Sequence, residues 1–267
     1  MAFKYLYVLV SADADFYYEQ FYISAFSLKM RVPGAFVSVL TDDSTAPRLS
    51  ELRVAGGGGG DPLIDEIVVP DIPADVPQMI RSRFLKTSMR KHIAGDFLYI
   101  DADTVVAEDL SCIEDINADL AMALDMHGAD DEKWLINVNE KKYSFYNSLE
   151  APLGEYYNSG VILCRDVPRN HVFFKDWHKN WLDSVSMGVP IDQPSLHKTN
   201  AGAGFVIKEL DGIWNCQIKR SHILAYLAAA KIIHYFGSWG GGFRCINWLR
   251  KKILTSLKKQ TRSPPNV

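Results

Sequence analysis

Short apolar runs alternate with longer segments of helical period along most of this 267-residue chain. That alternation restricts the fold more than any other feature. The runs are "YLYVLVS" from Tyr5, "AFVSVL" from Ala35, "IDEIVVP" from Ile64, "DFLYI" from Asp96 and "LAMALDM" from Leu120. Each is short, rich in β-branched or aromatic residues and bounded by turn formers, as strands are. Between them lie "FYYEQFYISAFSLKMR", with Phe21, Ala25 and Leu28 on one face, then "PRLSELRVA" and the basic "RSRFLKTSMRKHIAG". Further on, "EYYNSGVILCRD" contains a strand, and "HVFFKDWHKNWLDSV" reads as an amphipathic helix. Strands joined by helices predict an α/β fold: a mostly parallel mixed sheet flanked by helices.

The organisation is simple. A glycine run, Gly56 to Asp61, reads as a flexible connection, and residues 128–150 read as an irregular insertion without a clear period. No repeat is present, and no boundary is visible before Gly240. One domain over residues 1–242 with a separate tail over 243–267 is the expected division.

Charge divides the chain at the same place. From Arg244 onward there are seven Lys or Arg and no acid; subtracting that +7 from the net −3 leaves −10 on residues 1–243. An acidic body is ill suited to nucleic acid, whose binding depends on cations neutralising phosphates. The four cysteines are far apart and form no C-x-x-C pair, so free thiols in a reducing compartment are expected rather than a zinc site or a disulfide framework. "YLYVLV" is broken by Asp13 and Asp15 and is too short for a signal peptide or a membrane span.

The fourth run ends in "IDADTV", with Asp101 and Asp103 bracketing Ala102. In extended chain, residues i and i+2 point to the same side, so the two carboxylates repel unless something positive joins them. Oxygen-rich pairs hold hard cations such as Mg²⁺ or Mn²⁺. The pair also stands at the carboxyl end of a central strand, where open α/β sheets place ligands. An EF-hand loop is excluded, because its sixth position needs Gly and here is Val106. A phosphohydrolase of the haloacid-dehalogenase type fits the string locally, with Asp101 as nucleophile. A solvated acidic turn with no chemistry is the third possibility.

The ordered set "SRFLKTSMRKHIAGDFLYIDADTVV", "YYNSGVILCRD", "DQPSL", "WN" and "IIHYFGSWG" resembles the retaining glycosyltransferases of family 8, over roughly residues 3–240. The resemblance implies a GT-A fold, a nucleotide-sugar donor (a UDP-hexose) and a saccharide or glycolipid acceptor. It implies a Mn²⁺ or Mg²⁺ site made of Asp101, Asp103 and His234. Donor contacts map to Ser11, Ala12 and Asp13 after the first strand, to Arg83 and Lys86 on the basic helix, and to Ala102, Asn158 and Ser159. Tyr17 or Tyr18 is a candidate for stacking on the base. Asp125, Asp192 and Gln193 fall where the family handles the reacting sugar, although Asp192 also suits a helix cap. Arg90 and Lys91 are left as a solvated basic face. The family's Lys-Pro-Trp string after the histidine is here Ser238, Trp239 and Gly240, so a phosphate-holding lysine is missing; either glycine amides hold phosphate in its place or the run is only a hinge. An inactive sugar-nucleotide binding protein is a further alternative.

In the tail, Ile246, Leu249, Ile253 and Leu257 recur at helical spacing among basic residues. That pattern predicts an amphipathic helix on an anionic membrane surface. A cytoplasmic enzyme, peripheral on the inner membrane face and working in lipopolysaccharide or surface-glycan synthesis, is the resulting expectation.

Overall fold

The computed structural model describes residues 3–12, 15–55, 62–125, 156–218 and 224–235. Among these, seven strands form one sheet in the order β3-β2-β1-β4-β7-β6-β8. The strands are β1 (Lys4–Leu9), β2 (Phe36–Thr41), β3 (Glu66–Val68), β4 (Phe97–Ile100), β6 (Leu120–Leu124), β7 (Tyr157–Cys164) and β8 (Lys208–Leu210). β1 to β4 are mutually parallel where they pair. β7 runs antiparallel between β4 and β6, and β8 is parallel to β6. The expected α/β sheet is present, mostly parallel, with one central strand reversed.

Alternation along the strands divides the core in two. Tyr5, Tyr7 and Leu9 of β1 and Leu98 and Ile100 of β4 share one apolar cluster with Phe21, Ala25 and Leu28 of α1 (Tyr17–Arg31). Leu6 and Val8, with Phe97 and Tyr99, share the other with Leu85 and Met89 of α3 (Gln78–His92) and Phe173, Phe174 and Trp177 of α4 (Pro168–Ser186). α2 (Ala46–Ala55) follows β2. Trp177 and Trp181 are fully buried. Truncating either to Ala would cost about 3–5 kcal/mol.

α3 ends at His92, and Gly95 turns the chain into β4 at φ +83°, a backbone region that favours glycine. Arg90 departs from the expected solvated face. It is 1 % exposed, donates to the carbonyls of Ile93 and Gly95, and lies 3.5 Å from Asp166. The physical reason is position: the C-cap carbonyl of Ile93 and that of Gly95 in the following turn need donors, and the guanidinium reaching forward over them supplies two. Lys91 is exposed as expected.

Beyond the main sheet, β5 (Thr104–Val106), β10 (Ile232–His234) and β9 (Cys216–Gln217) make a small second sheet. β10 is antiparallel to β5, with His234 opposite Thr104, and parallel to β9. The remaining helices are α5 (Gln193–Gly202) and the single turn α6 (Leu224–Leu227). No helix among the described residues is long and apolar enough to cross a membrane.

Candidate active site

β4 delivers the first carboxylate. Asp101 continues the register of β4, its amide donating to Gly160 O across to β7 at 2.8 Å. By the same alternation, Asp101 falls on the face of Phe97 and Tyr99, toward α3. Lys86 of α3 meets it there, its Nζ 3.0 and 3.2 Å from the two carboxylate oxygens. The Tyr99 hydroxyl also donates to Asp101 Oδ1.

The second sheet delivers the imidazole. Pairing of β10 with β5 brings the main chain of Tyr235 to donate to Asp103 O at 3.1 Å. His234 Nε2 then lies 3.1 Å from Asp103 Oδ1. One ligand atom each from Asp101, Asp103 and His234 falls within 4.8 Å of the others. Two hard oxygens and one imidazole nitrogen, converging at this spacing, fit a small divalent cation. Gly160 permits the ring's approach: a Cβ there would stand 2.5 Å from His234 Cε1, 2.7 Å from its Nδ1 and 2.8 Å from Asn158 Oδ1.

A third carboxylate closes the group from the α5 side. Asp192 sits at the N-cap of α5 but makes no side-chain cap bond. Its carboxylate accepts from Ser159 Oγ at 2.6 Å, with Lys86 Nζ at 3.4 Å and Arg83 Nε at 3.8 Å. The capping role therefore gives way to one facing the lysine. Gln193, next in the chain, has its Nε2 buried without a hydrogen-bond partner among the described residues. That is a donor aimed where nothing yet accepts from it.

Charge follows this geometry. Burial works against the Lys86 ammonium, but Asp101 and Asp192 overcome it and hold its pKa above the ordinary value. Burial raises Asp101 despite Lys86. For Asp192 burial opposes ionisation, yet Lys86 and Arg83 prevail and its pKa falls. Burial also opposes charge on His234, and the Asp103 carboxylate outweighs it, so that pKa rises. The group thus favours an added positive charge at the imidazole end.

Asn158 and Asp125 form the far wall, with Asn158 Nδ2 donating to Asp125 Oδ1 at 2.9 Å. A register shift in β6 after Met122 sets Asp125 there, its amide bonded to Tyr156 O. Ala102 is half-buried against the α1-side core. Ser11 and Ala12 leave the end of β1, the strand beside β4, and both bond to the Asp15 carboxylate. Asp13 lies outside the described residues, as do Trp239, the 128–150 insertion and the 243–267 tail. Of the two tyrosines, Tyr17 is exposed, whereas Tyr18 lies under the Arg48 guanidinium at 4.0 Å.

Sequence reasoning overlooked three contributors. Tyr99 was readable, since it stands two residues before Asp101 on a strand. Gly160 was readable only as part of "NSG". Asn215, in "WN", is fully buried and accepts from the His234 ring, at 3.0 Å from Nδ1. The sequence marked it only as part of the "WN" string, with no role assigned.

A model of glycosyl transferase family 8 matches residues 93–240. No curated protein matches the chain significantly by sequence. Among solved structures, mouse xyloside xylosyltransferase 1 is similar at 12% identity and TM-score 0.57, over 87% of this chain and 97% of that one. The galactosyltransferase LgtC, solved with donor and acceptor sugar analogues, is similar at 18% identity and TM-score 0.54, over 90% and 93%. The glycosyltransferase GlyE of Streptococcus pneumoniae TIGR4 is similar at 18% identity and TM-score 0.56, over 89% of this chain and 55% of that one.

Proposed function

Because the chain belongs to glycosyltransferase family 8, a family of retaining nucleotide-sugar glycosyltransferases, we propose that it moves a hexose from a UDP-sugar to a saccharide or lipid-linked saccharide acceptor. Membership decides against the phosphohydrolase alternative. The observation that carries the reading is the convergence of Asp101, Asp103 and His234 within 4.8 Å, beside the buried ammonium of Lys86.

Mn²⁺ or Mg²⁺ held by those three residues would act as a Lewis acid toward the leaving diphosphate. Ser11, Ala12 and Asp13 hold the base and ribose, with Ala102 leaving room for the ribose. Arg83 and Lys86 supply positive charge to the diphosphate and the sugar. Asp125, Asn158 and Ser159 orient the hexose hydroxyls. Gln193 donates its unpartnered amide hydrogen near the anomeric carbon.

Retention follows either from a covalent intermediate or from attack on the face the leaving group departs. Asp192 is a poor nucleophile, since Ser159 and Lys86 occupy its carboxylate and its basicity is depressed. Gln193 is neutral. Front-face attack by the acceptor hydroxyl, with its proton passing to a diphosphate oxygen, is the consistent route. The chain then contributes alignment and fixed charge.

The test is a screen of nucleotide sugars with and without Mn²⁺, read by calorimetry and by nucleoside diphosphate released. Mn²⁺-dependent UDP release or sugar transfer is expected. Binding without turnover on any acceptor would mark an inactive binding protein, and phosphate released from monoesters would restore the phosphohydrolase.

A further inference from the structure

A line of buried side chains joins the imidazole of the cation group to the Asp125 carboxylate. His234 Nδ1 lies 3.0 Å from Asn215 Oδ1, and Asn215 Nδ2 donates to Asn158 Oδ1 at 2.9 Å. Asn158 Nδ2 donates to Asp125 Oδ1 at 2.9 Å, while Asn158 Oδ1 also accepts the Gly160 amide at 2.8 Å. His234, Asn215, Asn158 and Asp125 are all buried.

Only one polarity satisfies this line. The Gly160 main-chain N–H can only donate, so Asn158 must turn its oxygen there and its nitrogen toward the carboxylate. Asn215 therefore gives an N–H to that oxygen and presents its own oxygen to the ring. Nδ1 must then carry the proton, which leaves Nε2 as the atom directed at Asp103. A bare nitrogen lone pair facing a carboxylate oxygen at 3.1 Å is repulsive, so a proton or a metal ion belongs between them.

We infer that Asn215 is a positioning residue for the cation. By accepting from Nδ1 it holds His234 in the tautomer that offers Nε2 to the metal, as hydrogen-bond acceptors behind ligating histidines do. The same Asn158 that fixes Asn215 also orients Asp125, so cation binding and the hexose-facing wall share one support. The inference rests on the proposed function, because it takes Asp101, Asp103 and His234 as metal ligands.

The test is Mn²⁺ affinity of the full chain, measured by calorimetry without any nucleotide sugar. The variants are Asn215→Leu, Asn215→Asp and His234→Gln, each checked for folding by thermal melt. Leu and Asp approximate Asn in size and both lose the N–H given to Asn158, but only Asp keeps an acceptor for the Nδ1 hydrogen, so the difference between them reads that contact alone. Asn215→Leu is expected to weaken Mn²⁺ about ten-fold or more, with Asn215→Asp within about threefold of the parent. Equal affinities in the two would overturn the inference, since a purely packing role does not distinguish them in this way. Should the Leu variant not fold, the Asp variant decides. Affinity near the parent supports the inference, and a loss as large as that of His234→Gln overturns it. If His234→Gln itself binds Mn²⁺ as tightly as the parent, the metal reading falls, and with it the premise for Asn215.

Discussion

Thr104 and His234 face each other across the β5–β10 pair, and this register sets the imidazole beside the Asp101–Asp103 turn. The two aspartates come from the end of β4, and the histidine from a strand near the end of the described chain. Replacing Asp101 or Asp103 by Asn removes one anionic oxygen donor from the group. Each change is expected to weaken Mn²⁺ binding by more than the roughly 10–100-fold that loss of a hydrogen-bond partner behind a ligand costs, and to abolish metal-dependent transfer. Calorimetry with the metal alone checks it, and full sugar transfer by Asp101→Asn would refute the metal assignment.

Gly160→Ala tests the fit of the ring against β7. The added Cβ would sit 2.5 Å from His234 Cε1, so the imidazole or the strand must shift. Overpacking of this kind costs about 1–3 kcal/mol. A lowered melting temperature together with weaker Mn²⁺ binding is expected. A change in melting temperature alone would mean the ring had not moved.

Lys86→Met keeps the length of the side chain and removes its charge. Asp101 and Asp192 then lose their shared ammonium. The expected cost is about 3 kcal/mol in the metal-free protein, the low end for a broken buried pair because the Asp101 side chain is 25% exposed. Mn²⁺ should recover part of that loss, since it compensates Asp101. Melting curves with and without the metal give the comparison.

His178 makes stability sensitive to acid. It stands on α4 facing α3, hydrogen-bonded to Thr87 Oγ1 at 2.8 Å and stacked on Trp181. Burial first, then the charges of Lys91 and His92, lower its pKa from 6.5 to about 4. The unfolded chain takes up a proton below 6.5 that the folded one refuses until about 4, so this contribution is lost as pH falls through that window. Denaturant titrations from pH 7 to 4 should show a shallower decline for His178→Gln.

Deleting residues 244–267 removes seven basic groups. If the tail lies on an anionic surface, as its sequence pattern leads us to propose, each basic residue there adds about 1 kcal/mol, and the deletion should abolish pelleting with anionic vesicles. Release of UDP from the donor should continue. An unchanged vesicle-bound fraction would place the attachment elsewhere.

Much of the architecture was readable because strands and helices have different periods. β1, β2, β3, β4 and β6 were all legible as runs, and so was the helix feeding β4. The direction of β7 was not: nothing within "YNSGVILC" says whether it enters the sheet parallel or antiparallel. Arg90 was misjudged because basic helix residues usually face water, while this one bonds carbonyls of the turn that leads into β4. Asp101 and Asp103 announced themselves by sitting after an apolar strand, but His234 joined them only through the order of distant motifs. The "WN" string flagged Asn215 but not its role, because that role lies in which atoms it touches.

The placement of His234 in β10 has a consequence for biogenesis. During translation Asp101 and Asp103 emerge well before their imidazole partner, an interval on the order of ten seconds at bacterial-type elongation rates. Until then Lys86 can meet Asp101, while Asp103 still lacks the ring that it meets in the folded protein. A ribosome stalled before β10 would therefore display Asp101 and Asp103 without the imidazole that completes the candidate cation group, and that group would be assembled only as β10 docks beside β5.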